Sequence, residues 1–198
     1  MGLIGNKQFN DQEGLWGYRY AQKGFLNEYK FGPSADLGIN SEFTINPKFK
    51  INLFILNGEG YKSLQDDIGH QKMGTSFIYN FSKKLSAKIY MDSQRSENTK
   101  SIKNNSIFLG YDNIDFRVGV EYGKIKNART YKNAEDDHNR DGFSVFGSKK
   151  ISKNYVHQFI LKHKSFFEKT ELSFFEMTVG LAFQYYSDKK VDIAIIEV

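Results

Sequence analysis

ADLGINSEFTINPKFKINLFIL (residues 35–56) alternates apolar and polar side chains through most of its length. Ala35, Leu37, Ile39, Ser41, Phe43 and Ile45 take one parity, and Asp36, Gly38, Asn40, Glu42 and Thr44 the other. After Asn46, Pro47 and Lys48 the alternation resumes, with Phe49, Ile51, Leu53 and Ile55 against Lys50, Asn52, Phe54 and Leu56. Period-two alternation on both sides of a tight turn marks a β-hairpin with two unlike faces. Which solvent each face meets decides the fold.

The same period recurs along the chain. KMGTSFIYNF (72–81), LSAKIYMD (85–92), SIFLGYD (106–112) and FRVGVEYGK (116–124) repeat it. GFSVFGSK (142–149) and YVHQFILKHK (155–164) are noisier, MTVGLAFQYY (177–186) recovers the pattern, and VDIAIIEV (191–198) closes the chain. With a short strand near the start, about eleven strand-like segments are expected. Tight connectors sit at residues 46–48, 82–84, 113–115, 152–154 and 187–189, and long polar loops lie between them. Such alternation of connector length belongs to an up-and-down meander with tight turns at one rim and long loops at the other. A Greek-key sandwich gives no reason for it.

Composition narrows the choice. In these 198 residues the mean hydropathy is −0.56, yet aromatic residues make up 16%, against the aromatic-poor composition of disordered chains. No run approaches the ~18 apolar residues of a membrane helix, but a membrane β-strand needs only ~10 residues with alternate ones apolar. Cysteine is absent, so neither disulfides nor thiolate metal sites are available, and the 2 prolines suit uninterrupted strands. The net charge of +5 is spread along the chain without a compact basic run, so no nucleic-acid partner is expected.

On the polar parity, Gly38, Gly74, Gly110, Gly119, Gly123 and Gly180 fall among charged residues, as on a water-lined face. On the apolar parity, Tyr79, Phe81, Tyr111, Phe116, Tyr122, Phe183 and Tyr185 cluster near segment ends, as aromatic girdles do. The expected fold is therefore all-β: an up-and-down antiparallel transmembrane β-barrel with about 10–11 strands, its aliphatic face toward lipid. An odd count, the lack of a secretory signal at MGLIGNKQFNDQEG and the non-aromatic Val198 suggest an internal piece of a larger barrel of about 16 strands. Residues 1–198 are taken as one domain: 1–33 a partial strand and a long, lumen-folded loop, 34–198 successive β-hairpins.

Trp16, Gly17, Tyr18, Arg19 and Tyr20, then Tyr29, Lys30, Phe31 and Gly32, then Ser34, Ala35, Asp36, Leu37 and Gly38 form a long-loop-to-strand passage. Asn57, Gly58, Glu59, Gly60 and Tyr61 follow as a strand-end motif. Over residues 14–61 the chain resembles the outer-membrane porins loosely grouped with the phosphate-selective porins. The resemblance implies the outer membrane of a Gram-negative bacterium, contact with outer-membrane lipid, passive conduction of small solutes, and in some relatives a homotrimer.

The pore-lining candidates follow from parity and charge. Asp36, Asn40, Glu42, Lys50, Lys88, Arg117 and Glu121 occupy the polar face, and Arg19, Lys23 and Lys30 lie on the long loop. A loop carrying three cations into the lumen would bias a pore toward anions; the alternative, to which the scattered charges lean, is a solvated extracellular loop. The mixed signs on the wall give no support for phosphate selectivity.

No catalytic, cofactor or metal site is expected. Glu135, Asp136, Asp137, His138 and Asp141 are oxygen-rich but lack the spacing and central glycine of a calcium loop. Gly58, Glu59 and Gly60 lack the third glycine and following helix of a phosphate cradle. The 4 histidines are scattered, and no nucleophile, base and orienter stand together. The expected function is an outer-membrane porin passing small hydrophilic solutes with weak anion preference. The alternative is a non-conducting barrel serving as a structural or ligand- or partner-binding protein.

Overall fold

The computed structural model describes residues 2–20, 22–63, 70–95, 100–128 and 138–191, in two units, Met1–Lys149 and Lys150–Val198. The first unit carries an 8-stranded antiparallel sheet whose strands pair in chain order. They are β1 (Gly2–Gly5), β2 (Ala35–Asn46), β3 (Phe49–Leu56), β4 (Lys72–Asn80), β5 (Leu85–Gln94), β6 (Ile102–Asp112), β7 (Phe116–Ala128) and β8 (His138–Lys149). The up-and-down meander is thus present. Among the described strands β1 and β8 do not pair, so the sheet is open, with eight strands in place of the 10–11 expected.

The short turns hold themselves. Asn46 Oδ1 accepts from the amides of Lys48 and Phe49 at 2.9 and 3.0 Å, and Ser82 Oγ from those of Lys84 and Leu85 at 3.1 Å. Asx and Ser turns of this kind fix register at the rim.

Register then sorts the faces. Phe43, Ile51, Phe77, Ile89, Ile107, Tyr122 and Phe143 lie opposite one another on seven successive strands, β2 to β8, in one unbroken row. This row is on the exposed face: Ile107 keeps 56% of its surface open and Phe143 73%. The opposite parity holds Asp36, Asn52, Lys88, Asp92 and Glu121, all buried. The sheet is inverted relative to a water-soluble one, with aliphatic side chains outside and carboxylates inside. Leu37, Ile39, Phe43 and Leu53 are exposed as the alternation requires; Ile51, of the same parity, is half-buried.

Residues 6–34, between β1 and β2, cover the polar face. They include α1 (Asn10–Trp16) and the single turn α2 (Phe25–Glu28). Phe9, Leu26 and Phe31 of this segment pack with Ile125 and Ala128 of β7 as a small apolar core. Inner-face glycines make room for large side chains: a Cβ on Gly74 would strike Phe54, one on Gly123 would strike Leu26, and one on Gly119 would strike Phe146. Gly119→Ala is accordingly expected to cost ~1–3 kcal/mol through overpacking, read as a lowered denaturation midpoint. Gly147→Ala, whose nearest neighbour is 3.5 Å away, should cost less.

The second unit overturns part of the sequence reading. Residues 155–164 and 177–186, expected as strands, lie in helices α3 (Lys153–Thr170) and α4 (Phe174–Asp188). Successive β-hairpins therefore end at Lys149. Phe183 and Tyr185 of the expected girdle sit on α4, and the expected last strand falls mostly on residues 192–198, outside the described residues. Ser152 caps α3 by accepting from the Tyr155 amide, and Ser173 and Glu176 form a reciprocal capping box at α4. Among the described residues no helix is long and apolar enough to cross a membrane.

Tyr155 of α3 donates its hydroxyl to Asp188 Oδ2 of α4 at 2.7 Å. That bond and one from Gln184 hold the Asp188 carboxyl below its usual range. Local desolvation and the same bond push the Tyr155 hydroxyl up to about 12. Asp188, with its lowered value, supports the hairpin above ~pH 4 and loses that support as pH falls further. Tyr155, with its raised value, supports it up to ~pH 10 and loses it toward 12. Tyr155→Phe should remove both flanks from a pH titration of the chain's helical circular dichroism.

Candidate functional site

The site is the polar face of the sheet and the segment seated on it. On β5, Lys88 points inward and is almost wholly buried. Its ammonium donates to Asp11 Oδ2 at 2.7 Å, Gln12 Oε1 at 2.6 Å and the Lys7 carbonyl at 3.0 Å, all on the covering segment. Glu121 of β7, also buried, faces Lys88, the Gln12 side chain and the Phe25 backbone amide. The buried Lys88 ammonium is thus matched by the segment, whereas neither oxygen of the buried Glu121 carboxylate makes a hydrogen bond.

Three further ties fasten the segment. Gln8 and Asn104 of β6 exchange amide hydrogen bonds at 2.8 and 2.9 Å, and Asn104 Nδ2 also donates to the Phe31 carbonyl at 2.6 Å. Arg140 of β8 donates to the carbonyls of Tyr29 and Lys30, both at 2.9 Å, and its guanidinium lies 5.6 Å from the Phe31 ring centre. At the short-turn rim, Arg117 donates to the Leu15 carbonyl at 3.4 Å and to Asp112 at 3.3 Å.

Inside the segment, the Glu13 carboxylate is the organiser. Oε1 accepts from the Gly24 amide and from Asn27 Nδ2, and Oε2 accepts from Arg19 Nε at 2.6 Å. One buried carboxylate gathers three turns of irregular chain, which have no ladder to satisfy them.

Two clefts flank the seated segment. At the long-loop rim a cleft of about 590 Å³ is lined by Lys23, Lys30, Lys62, Lys72 and Arg140 against Glu28 and Glu59, with Phe31, Tyr61 and Gln94. At the short-turn rim a cleft of about 300 Å³ is lined by Asp11, Leu15, Lys83, Lys84, Phe108 and Asp112.

No family model, curated protein or solved structure matches this chain. The site must be read from its geometry.

The structure brings together some of the sequence candidates and separates others. Lys88 and Glu121 are both buried beneath the segment, near enough to influence each other's charge but without an ion pair. Arg117 is half-buried beside Leu15. Asp36 is buried, but its carboxylate is occupied in closing a turn, accepting from the amides of Leu37 and Gly58 at 2.8 and 2.7 Å. Asn40 lies on the inner face, whereas Glu42 and Lys50 pair with each other at 3.1 Å near the β2–β3 turn, partly open to solvent. Arg19, Lys23 and Lys30 do not form one ring: Arg19 is bound to Glu13, and the other two line the larger cleft.

Sequence reasoning did not single out Gln8, Asp11, Gln12, Glu13, Asn104 or Arg140. Asn104 and Arg140 share the inner parity of their strands, which could have found them. The segment residues carry no periodicity, so nothing in the sequence aimed them at the wall. Of the acidic loop, Glu135, Asp136 and Asp137 lie outside the described residues, while His138 and Asp141 belong to β8. Among the described residues no cluster of His, Asp and Glu has the geometry to hold a metal.

Proposed function

We propose that this chain is the wall of an outer-membrane β-barrel of the porin type, passing small hydrophilic solutes by diffusion with weak anion preference. The inverted sheet carries this reading, because an aliphatic surface spread over seven strands calls for a lipid solvent, and buried carboxylates call for a wet or polar interior. β6, β7 and β8, at 11, 13 and 12 residues, meet or exceed the ~9–11 residues a tilted strand needs to cross the hydrocarbon. The lysines of the larger cleft supply the anion bias, and residues 6–34 serve as the constriction.

A second reading is favoured by one observation, the close polar seating of that segment. Lys88, Gln8, Asn104 and Glu13 fasten it as a fixed filling, which suits a non-conducting barrel whose loops bind a partner or ligand. Small barrels with filled interiors are common. Single-channel recording of the full-length protein in planar bilayers separates the two. Discrete conductance steps with a reversal potential shifted toward anions are expected for the pore. Silence from protein shown to be inserted would remove it in favour of the filled barrel.

A further inference from the structure

Asn52 Oδ1, Ser76 Oγ, Ser106 Oγ and Asp92 Oδ1 are buried on the polar face and find no hydrogen-bond partner there. Four such atoms in one neighbourhood are unusual, because buried polar groups are almost always satisfied. Their positions are ordered. Asn52, Ser76, Tyr90 and Ser106 stand directly opposite one another on β3, β4, β5 and β6. Strands lie ~4.8 Å apart, and one water accepting or donating at ~2.8 Å on each side bridges that spacing. A buried water takes two to four polar partners, which a row of hydroxyl and amide oxygens provides.

The row is continuous with polar groups above and below it. The Tyr90 hydroxyl donates to Asp92 Oδ2, and Lys72 Nζ lies 3.8 Å from the same oxygen. Lys72 lines the larger cleft. In the other direction Lys88, two residues from Tyr90 on the same strand, binds Asp11, which lines the smaller cleft. One to two waters span the ~6.7 Å between alternate residues of a strand.

We propose that a file of bound water runs beneath the seated segment along this track, joins the two clefts, and conducts water while larger solutes are held out. This rests on the membrane reading above and adds the permeant that passes without displacement of residues 6–34. The apolar core of Phe9, Leu26 and Phe31 seals one side of the segment, and a second apolar cluster of Phe54, Leu56 and the Tyr90 ring lies against the row, so the track follows the polar oxygens beside those rings.

The test uses the full chain in phosphatidylcholine vesicles, with osmotic shrinkage followed by stopped-flow light scattering. Wild type is expected to shrink several-fold faster than protein-free vesicles. The double variant Ser76→Val/Ser106→Val should shrink measurably more slowly than wild type, while Ser93→Val, on the opposite face, should match wild type. Equal rates for wild type and the double variant, or for wild type and empty vesicles, overturn the proposal. Entry of a pentose, measured on the same vesicles, reports separately on the diffusion pore: sugar excluded with water admitted removes the pore and keeps the track. Hydroxyl-radical footprinting of the protein in detergent covers a variant that fails to insert. Tyr90, only 1% exposed, should label within about threefold of the exposed Tyr79 if water is bound beside it, and labelling tenfold or more below Tyr79 overturns the track.

Discussion

Replacing Lys88 by methionine is expected to release the covering segment from the wall. Methionine fills much of the volume but leaves Gln12 Oε1, the Lys7 carbonyl and the Asp11 carboxylate without their shared donor, and Glu121 without its nearest cation. Removing one partner of a buried, hydrogen-bonded charge group costs ~3–5 kcal/mol, most of it from what is left unpaired. Spread over local opening of the segment, ~3 kcal/mol raises the open population by about two orders of magnitude. Limited trypsin digestion reads this directly, since Arg19, Lys23 and Lys30 lie within the segment. Cleavage at those three sites should accelerate in Lys88→Met while cleavage in the sheet does not. Asp11→Asn keeps a polar partner and removes a half-exposed carboxylate, so its effect should be smaller. Unchanged trypsin kinetics in Lys88→Met would mean that the apolar contacts of Phe9, Leu26 and Phe31 hold the segment unaided.

The second large effect concerns the outer face. Ile107 sits in the middle of the seven-residue apolar row, between Ile89 and Tyr122. Ile107→Arg is expected to cost ~2–4 kcal/mol when the protein folds into bilayers, the penalty for a cation near the hydrocarbon midplane. Urea titration of vesicle-inserted protein measures it. Lys124→Arg, on the same face but nearer the long-loop rim where Lys103 and Lys126 already pair across the strands, should be neutral. A water-facing surface would give a different answer: Ile107→Arg would then stay within ~0.5 kcal/mol, as exposed substitutions do. That result would remove the membrane reading of the sheet, whatever the behaviour of the segment.

The sheet was legible because its pattern is redundant. Phe43, Ile51, Phe77, Ile89, Ile107 and Tyr122 each obey the same parity, and a slip of one residue would have inverted all of them. The last quarter was misread for a specific reason. Met177, Val179, Leu181, Phe183 and Tyr185 alternate with small or polar residues, yet Met177, Leu181 and Tyr185 are also four apart, as one stripe of a helix requires. The deciding signal was upstream, where Ser173 and Glu176 stand at capping-box spacing ahead of the apolar run. At the site, Lys88 and Glu121 were legible from parity alone. Their partners were not, because Gln8, Asp11 and Gln12 come from a loop and a short helix whose seating is set by a carboxylate, Glu13, and by Leu15, Leu26 and Phe31 entering the hollows over Gly110 and Gly123. Such long-range fits leave no periodic trace.

Along the outer margin of β8, from Arg140 to Ser148, alternate amides and carbonyls point away from β7 and toward no other described strand. Hydrocarbon tolerates no such fringe, each bare group costing several kcal/mol. In the membrane reading proposed above, entry into a bilayer and capture of that margin by another strand would be one concerted event. A molecule delayed between the two would offer its neighbours a ready template for cross-β stacking.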